Sequence, residues 1–526
     1  MTVRKWAPLF VLSLALAIVI IDTTLLNVSL STLIHELHTN LQSLQWVISV
    51  YSLTLAALTV TGGRMGDLFG RKRMFLLGAI LFAIGSFIAS MSRNIPVLLL
   101  GESIIEGIGA ALMMPATASL LVAKYRGHDR AIAFGIWGGV AAAASAIGPI
   151  VGGFLTTHYS WRWGFRINVF VVALLLAGSV VIDDTEELQG KSIDWRGVLL
   201  SAVGLFLIVF GIIESSTYGW LAARKPFPLV DLGRVSIVPI AIGAGLAVLA
   251  LFAWWEVRVE RNGSTPIVSM RLFRNRQFVS GALITGVLML GMNGLVFSLP
   301  VFLQSVKKLD AFHTGLTLLP MSIMLLIVSP TAATLTKRMS PKVFVQMGLA
   351  LDVVALFVLR AMLSTNMDVR MLIPGLVLYG TGQGMVMSQI NNVMLSAVPV
   401  REAGEASGVG NTFRQVGSAL GAAIIGAVLL STILVNVETA VASSTAIAPA
   451  EKQAATATFA QHSSDLAFGG PDLFAHLPAD SRKALEGFRR DATTTGSRSA
   501  LLYGAAFAFL GLLISTRLPR EMRRSE

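Results

Sequence analysis

The chain has no cysteine and few charged residues for its length. The absence of cysteine among 526 residues excludes disulfides, thiolate catalysis and cysteine-based metal sites. Charged residues make up 13% of the chain, against ~25% in a typical soluble domain, whereas apolar residues make up 54% and the mean hydropathy is +0.72. This composition predicts an all-α, multi-pass protein of an inner or plasma membrane, most of whose length crosses the lipid bilayer.

Phosphate-binding motifs are also missing. No Gly-x-x-x-x-Gly-Lys-Ser/Thr loop occurs, so we expect no ATP hydrolysis, no enzyme activity and no cofactor. The glycine-rich pieces at 107–109 and 380–384 lie inside apolar stretches and are interpreted as helix-packing positions. The net charge of +12 does not predict a nucleic-acid partner, because the cations lie in short loops between apolar stretches. The sequence gives no sign of an obligate protein partner.

Fourteen stretches are long and apolar enough to cross a bilayer. The N-terminus, the C-terminal tail and the loops on their side carry 24 Lys or Arg. The short loops of the other side carry 9, if Arg166 at the start of span 165–182 is included. Both termini are therefore predicted to be cytoplasmic. The predicted spans are residues 9–31, 44–61, 74–91, 96–122, 131–155, 165–182, 197–216, 236–255, 278–303, 315–335, 343–362, 371–396, 407–434 and 499–516.

The longest segment between spans, residues 435–498, is predicted to lie outside the cytoplasm. It is rich in Ala, Ser and Thr, and a Gly-Gly-Pro break at 469–471 separates two charged stretches. Two interpretations remain open: a solvated flexible loop, or a short helical hairpin packed over the outer mouth of a central cavity.

Four carboxylates fall inside predicted spans: Asp22, Glu102, Glu106 and Asp352. At ~1.5 Å per residue, Asp22 lies ~20 Å into its span, and Glu106 and Asp352 lie ~14 Å deep. An ionised side chain at such depth costs at least several kcal/mol unless it faces protein or water. All four are therefore candidates for proton or cation binding.

Each of these acids also has a structural interpretation. Asp22 could hold the first span to a neighbour through the polar residues beside it, and Glu102 and Glu106 could contact the outer vestibule. Asp352 could pair with Arg360, eight residues further on.

Other polar residues inside spans are candidates for lining a cavity, with interhelical hydrogen bonds as the alternative. Arg414 could instead be an anchor near the cytoplasmic end of its span. These residues are Asn293, Gln389, Asn392 and Arg414.

The loop between spans 2 and 3 carries a recognisable pattern. Residues 62–73 read GGRMGDLFGRKR, which resembles the G-x-L-x-D-x-x-G-R-K loop of major facilitator transporters, with Met65 at the leucine position. In that family the loop acts as a cytoplasmic latch between two conformations. The resemblance implies this role for Gly63, Asp67, Gly70, Arg71 and Lys72.

Further motifs resemble the 14-span drug:proton antiporters of that superfamily, which include multidrug and quaternary-ammonium efflux pumps. They occur in order along nearly the whole chain. The run Gly148-Pro149-Ile150-Val151-Gly152-Gly153 resembles their antiporter motif, in which small residues and proline allow helices to touch and bend. The runs WRWGFRINV, PIVSMRLFRNRQF and GEASGVGNTFRQVGSALG resemble segments next to spans 5, 9 and 13.

The resemblance implies two pseudo-symmetric six-helix bundles plus two inserted helices. We assign residues 1–190 to the N-terminal bundle, 191–277 to the inserted helices and a linker, and 278–526 to the C-terminal bundle. It also implies export of small amphipathic, cationic drugs, driven by a proton gradient and conferring antibiotic and antiseptic resistance. Export of one endogenous metabolite, or a non-transporting membrane sensor, are the alternatives.

Span 4 departs from the family pattern R-x-x-Q-G. Ser103 stands at the arginine and Glu106 at the glutamine. In relatives that arginine is thought to set the protonation of the first-span acid. Residues 102–106 of this chain are therefore expected to carry two acids, Glu102 and Glu106, and no fixed positive charge.

Overall fold

The computed structural model describes residues 2–125, 127–183, 194–227, 234–264, 266–268, 271–335, 340–398, 403–444, 447, 451–452 and 478–519. Within these ranges the chain forms fourteen long helices, two of them made of consecutive segments. They are α1 Thr2–Glu36, α2 Leu41–Phe69, α3 Arg71–Ser90, α4 (Ile95–Leu98, Leu99–Glu106 and Gly107–Lys124), α5 Gly127–His158, α6 Arg162–Gly178, α7 Trp195–Tyr218, α8 Ile237–Arg261, α9 (Arg276–Val296 and Ser298–Ser305), α10 Ala311–Leu335, α11 Pro341–Met362, α12 Ile373–Leu395, α13 Ala403–Ser443 and α14 Ala479–Ser515.

These helices coincide one for one with the predicted spans. Twelve are long and apolar enough by themselves to cross a membrane, and α5 and α12 occupy the positions of the other two spans. Large apolar side chains remain exposed along whole helix faces; on α3 these include Ile80, Ile84 and Phe87. Such faces suit lipid, since their backbone hydrogen bonds are already made within the helix.

Six helices at each end of the chain pack by the same scheme, so the two bundles are pseudo-symmetric. In the N-terminal bundle α1 packs against α5, α2 against α4, and α3 against both α4 and α6. In the C-terminal bundle α9 packs against α13, α10 against α12, and α11 against both α12 and α14. The inserted helices α7 and α8 pack against each other, and α7 also lies against α2 and α13.

The two bundles meet along two helix pairs, α2 with α13 and α5 with α10. Gln45 of α2 donates to the carbonyl of Ala423 at 2.8 Å. Gln304 of α9 donates to the carbonyl of Val28 on α1 at 2.7 Å. Val28 and Gln304 both lie near the ends of their helices on the side opposite the termini. Their hydrogen bond therefore ties the two bundles together on that side.

The segment 435–498 is more helical than a flexible loop would be. Helix α13 continues to Ser443, beyond the predicted end at 434, and α14 begins at Ala479, well before the predicted start at 499. Val441 and Leu485 pack in one apolar core with residues of α1 and α2. In its described parts the segment therefore extends the last two helices and covers the side opposite the termini, while residues 453–477 lie outside the described residues.

Glycine allows α3 and α4 to approach until their backbones touch. A Cβ added at Gly78 would lie 2.7 Å from the carbonyl oxygen of Gly109 and 2.8 Å from the amide nitrogen of Met113. Both are backbone atoms, which cannot rotate away as the end of a flexible side chain can. This crossing fixes the register of α4, which carries two of the candidate acids.

We predict that Gly78→Ala destabilises the protein by about 1–3 kcal/mol, because the new methyl group forces the two helices apart. Gly243→Ala on α8 is the matched control, since a Cβ there meets no atom within 4 Å. Its expected effect is neutral or a gain of up to ~1 kcal/mol from reduced backbone entropy. Thermal unfolding of the two purified variants in one detergent measures the difference, and equal midpoints would contradict the prediction.

Candidate functional site

Four helices of the N-terminal bundle bring polar side chains to one buried point. The side-chain amide of Asn168 on α6 lies 2.8 Å from Asp22 Oδ1, 3.2 Å from Ser86 Oγ and 3.4 Å from Glu106 Oε1. The carboxyl groups of Asp22 and Glu106 therefore share one donor, the Asn168 amide, and they interact electrostatically with each other. The sequence placed Asp22 and Glu106 in different spans, and the structure brings them together.

Two carboxyl groups that share a single neutral donor repel each other when both are ionised. Asp22 is 1% exposed and Glu106 is fully buried, so water does not screen their mutual repulsion. Among the described residues, no Lys, Arg or His interacts with either group. The pair is therefore a concentration of buried acid that no described basic side chain offsets.

Glu102 and Tyr51 complete this group, which we call the acid cluster (Asp22, Tyr51, Glu102, Glu106 and Asn168). Glu102 is 1% exposed and Tyr51 of α2 is 3% exposed, and both interact electrostatically with Asp22. Among the described residues, the Tyr51 hydroxyl and one oxygen of each of the three carboxyl groups have no hydrogen-bond partner. Most buried polar atoms in folded proteins have one, so these four atoms require an explanation.

The two glutamates stand on an irregular part of α4. Residues Leu99–Glu106 form a π-helix, whose hydrogen bonds run from residue i to i+5. Ser103, within this segment, donates its hydroxyl to the carbonyl of Val47 on α2 at 2.8 Å. Where relatives have arginine, this chain thus has a small neutral residue that ties α4 to α2. Segments of π-helix occur frequently at functional sites.

The antiporter-like motif lies next to the acid cluster. A Cβ at Gly148 or Gly152 of α5 would meet Thr24 or Leu25 of α1 within about 3 Å, directly beside Asp22. A Cβ at Gly153 would lie 2.8 Å from Cα of Phe312 on α10. Pro149 contacts Gly315 of α10. The motif therefore packs against the acid-bearing helix and against the other bundle at once.

Asp352 lies apart from the acid cluster, in the C-terminal bundle. Gln383 of α12 donates to Asp352 Oδ2 at 2.9 Å and to the hydroxyl of Tyr379 at 3.2 Å. Asp352 is fully buried, and its Oδ1 and the Arg360 Nε both lack a hydrogen-bond partner within the protein. The alternative role of Asp352, a pair with Arg360, is therefore wrong. The two residues lie two helical turns apart, and Gln383 on the facing helix bonds Asp352 instead.

The latch-like loop is a one-residue connection. Gly70 separates α2 from α3 with φ of 96°, a left-handed conformation that favours glycine, and Gly63 contacts Pro115 of α4. Arg71 reaches the carbonyl of Ser119 on α4 at 3.4 Å, and Lys72 is half-buried. The side chain of Asp67 lies outside the described residues.

The candidate cavity residues do not form one group. Asn293 donates to the carbonyl of Ser418 on α13 at 3.3 Å. This is an interhelical hydrogen bond, the alternative to a cavity-lining role. Gln389 is buried, and its Oε1 has no hydrogen-bond partner within the protein. Arg414 is half-buried on α13. The side chain of Asn392 lies outside the described residues.

Sequence reasoning missed Asn168, Ser86, Tyr51 and Gln383 as partners of the buried acids. A signal existed for Asn168, because it belongs to the run WRWGFRINV that marks the start of α6. Ser86 and Tyr51 stand in ordinary apolar sequence, and Gln383 stands in the glycine-rich piece 380–384. Only packing shows the partners of these three residues.

Comparison with known proteins agrees with this architecture. A sequence profile described as the Major Facilitator Superfamily matches residues 12–422. The tetracenomycin C resistance and export protein of Streptomyces glaucescens is 30% identical over 82% of this chain and 77% of its own. The multidrug efflux pump LfrA of Mycolicibacterium smegmatis is 29% identical over 83% of each chain. A bacterial homolog of the human lysosomal transporter Spinster, in an inward-facing conformation, matches 98% of each chain with a TM-score of 0.63 and 15% identity.

The hydrogen bonds of Asn168 generate a stability prediction. Asn168→Leu removes the amide that bonds Asp22, Ser86 and Glu106, which should cost about 1–3 kcal/mol because a buried carboxyl oxygen loses its donor. Asn27→Leu is the control, since the Asn27 amide bonds the carbonyl of Thr23 in its own helix at 3.0 Å. Thermal unfolding should show the larger loss for Asn168→Leu. A larger loss for Asn27→Leu would show that Asn168 does not stabilise the acid cluster.

Proposed function

Since the chain belongs to the major facilitator superfamily, we propose that it is a proton-coupled antiporter that exports amphipathic, cationic compounds by alternating access. Its relatives are drug-resistance and drug-export proteins, so the chain is an integral multi-pass membrane transporter of the drug efflux type. The coupling ion and the charge of the substrate are the new parts of this proposal.

The observation that carries the proposal is the pair of acids Asp22 and Glu106, which the Asn168 amide bridges. The pair is buried and has no cationic partner among the described residues. A proton or an organic cation can each supply the positive charge that the pair needs, and the two would compete for it. Competition of this kind is the physical basis of antiport: proton binding releases the cation, and proton release allows the next cation to bind.

We propose that two further acids, Glu102 and Asp352, also take part in proton coupling. Glu102 lies on the same π-helical segment as Glu106 and shares its electrostatic surroundings. Asp352 is a second buried acid without a cation, in the other bundle. We propose that it takes up a proton independently of the acid cluster.

Alternating access requires the bundles to rock, and the helix contacts supply a means. We assign residues 1–190 and 278–526 as the rocking bundles, with both termini in the cytoplasm. Small side chains at Gly148, Gly152 and Gly153 allow α5 to slide between α1 and α10. Asp67 and Arg71 would close the cytoplasmic side as the latch, and Asn293, Gln389, Asn392 and Arg414 would contribute polar groups between the bundles.

A dedicated exporter of one endogenous amphipathic metabolite is the second candidate. It is favoured by one relative, the tetracenomycin C resistance and export protein, whose name gives a single compound. A growth-inhibition panel of unrelated toxins separates the candidates, because a dedicated exporter protects cells against a single chemical class. A non-transporting sensor that kept the fold would show no substrate-dependent proton release in proteoliposomes.

The direct test is uptake of a dicationic dye into inverted membrane vesicles, with and without a pH gradient. The proposal expects uptake that stops when the gradient is collapsed. Uptake that is equal under both conditions would exclude proton coupling.

We predict that Asp22→Asn abolishes substrate-dependent proton release from proteoliposomes while the protein still folds. Asparagine has the shape of aspartate but cannot exchange a proton. Asp310→Asn is the control, because Asp310 is an exposed acid beside His313 at the start of α10. It should retain at least half of wild-type activity. Proton release by Asp22→Asn at the wild-type rate would remove Asp22 from the mechanism.

We predict that Glu106→Gln loses export of dicationic compounds first, monocations less and neutral compounds least. A carboxylate in surroundings of low dielectric attracts cations strongly, and α4 carries no arginine in the π-helical segment to offset it. Asp352→Asn is the comparison, since loss of coupling alone should reduce all three charge classes equally. Inhibitory concentrations for matched neutral, singly and doubly charged compounds measure this, and equal losses in Glu106→Gln would contradict charge selection.

A further inference from the structure

A further carboxylate, half-buried, lies between α2 and the inserted helix α7, on the side opposite the termini. The indole nitrogen of Trp46 donates to Glu214 Oε1 at 3.0 Å. Gln42 and Thr217 lie beside this carboxylate and bond each other at 3.0 Å. All three side chains are neutral, so they do not cancel the charge of Glu214.

Five aromatic rings form a continuous group around this carboxylate. Trp46 has its ring centre 5.9 Å from Phe206 and 6.0 Å from Phe210, and Phe227 lies 6.4 Å from Phe210 and 5.4 Å from Tyr218. Glu214 stands between Phe210 and Tyr218 at four-residue spacing, so these three side chains share one face of α7. Phe206 is 45% exposed, which opens the group to the membrane-facing surface.

No cation satisfies this carboxylate among the residues that the structure describes. Arg224 and Lys225, in the segment after α7, are exposed and make no ion pair with Glu214. A half-buried negative charge beside ring faces is the arrangement that proteins use to bind organic cations, because each ring face adds an electrostatic attraction. A compound with its own apolar rings would also bury surface here.

We propose that Glu214, Trp46, Phe206, Phe210, Tyr218 and Phe227 form a second binding site, for a lipophilic aromatic monocation. Trp46 stands five residues before Tyr51 on α2, about 140° around the helix at 100° per residue. The two side chains therefore face different neighbours, Trp46 toward α7 and Tyr51 toward the acid cluster. This site is separate from the acid cluster and is open to the lipid. It gives the inserted helices a binding role, which the proposed transport mechanism does not assign to them.

The test is equilibrium binding of tetraphenylphosphonium to the full chain in lipid nanodiscs, with empty nanodiscs subtracted. The wild type should bind one equivalent at this site that Glu214→Gln and Trp46→Leu each weaken about tenfold. Trp46→Phe keeps a ring face and should lose less. Glu486→Gln is the control, since Glu486 is an exposed acid on α14 beside Lys308 and without aromatic neighbours among the described ring contacts.

The same titration separates this site from the proposed transport function. Glu106→Gln should leave the equivalent at Glu214 unchanged. If the wild type binds a single equivalent that Glu214→Gln removes, this inference stands and cation binding at the acid cluster fails. If Glu106→Gln removes that single equivalent and Glu214→Gln does not, the inference is overturned.

A wild-type experiment covers the case in which a variant does not fold. A photoreactive triphenylphosphonium should label peptides from 195–227 or from the start of α2, and excess tetraphenylphosphonium should prevent this labelling. Neutral triphenylphosphine oxide should not compete. Labelling elsewhere, or equal competition by the neutral compound, would show that the Trp46–Glu214 contact is a tether between helices and not a cation site.

Discussion

Burial of two neighbouring carboxyl groups with no cationic partner among the described residues is the constraint around which the N-terminal bundle is arranged. Asp22 and Glu106 come from helices far apart in sequence, and each would be destabilised at this depth as an isolated anion. Asn168 supplies neutral hydrogen bonds, which orient the pair but do not neutralise it. The stability of this site is therefore linked to its state of charge.

Glycine brings the helices close enough for this pair to form. A Cβ at Gly85 would lie 2.7 Å from the Cβ of Glu106, and one at Gly107 would lie 3.0 Å from Thr54 of α2. The same device recurs at the seams between bundles, where Gly153 meets α10 and Gly426 meets Gln45 of α2. Small residues thus bring helix backbones together both at the acid cluster and at the seams between the bundles.

The pseudo-symmetry of the bundles shows where they have diverged. Gly78 meets Gly109 at the α3–α4 crossing, and Gly348 meets Gly382 at the equivalent α11–α12 crossing. Three residues before Gly109 stands Glu106, and three residues before Gly382 stands Tyr379. The N-terminal crossing thus presents an acid where the C-terminal crossing presents a phenol, with Asp352 on the facing helix. One packing scheme therefore supports two unlike polar sites.

The sequence alone determined the fourteen spans and the membrane-embedded acids, because hydropathy and helix length report which solvent each segment faces. It also indicated the family, through motifs spread along the chain. It did not determine that Asp22 meets Glu106, that Gln383 and not Arg360 bonds Asp352, or that Leu99–Glu106 is π-helical. Nor did it predict that α13 continues to Ser443, past residue 434, or that α14 begins at Ala479, before residue 499. Only the tertiary structure decided these points, because contacts between helices depend on the register and rotation at which distant segments pack, and hydropathy carries no information about either.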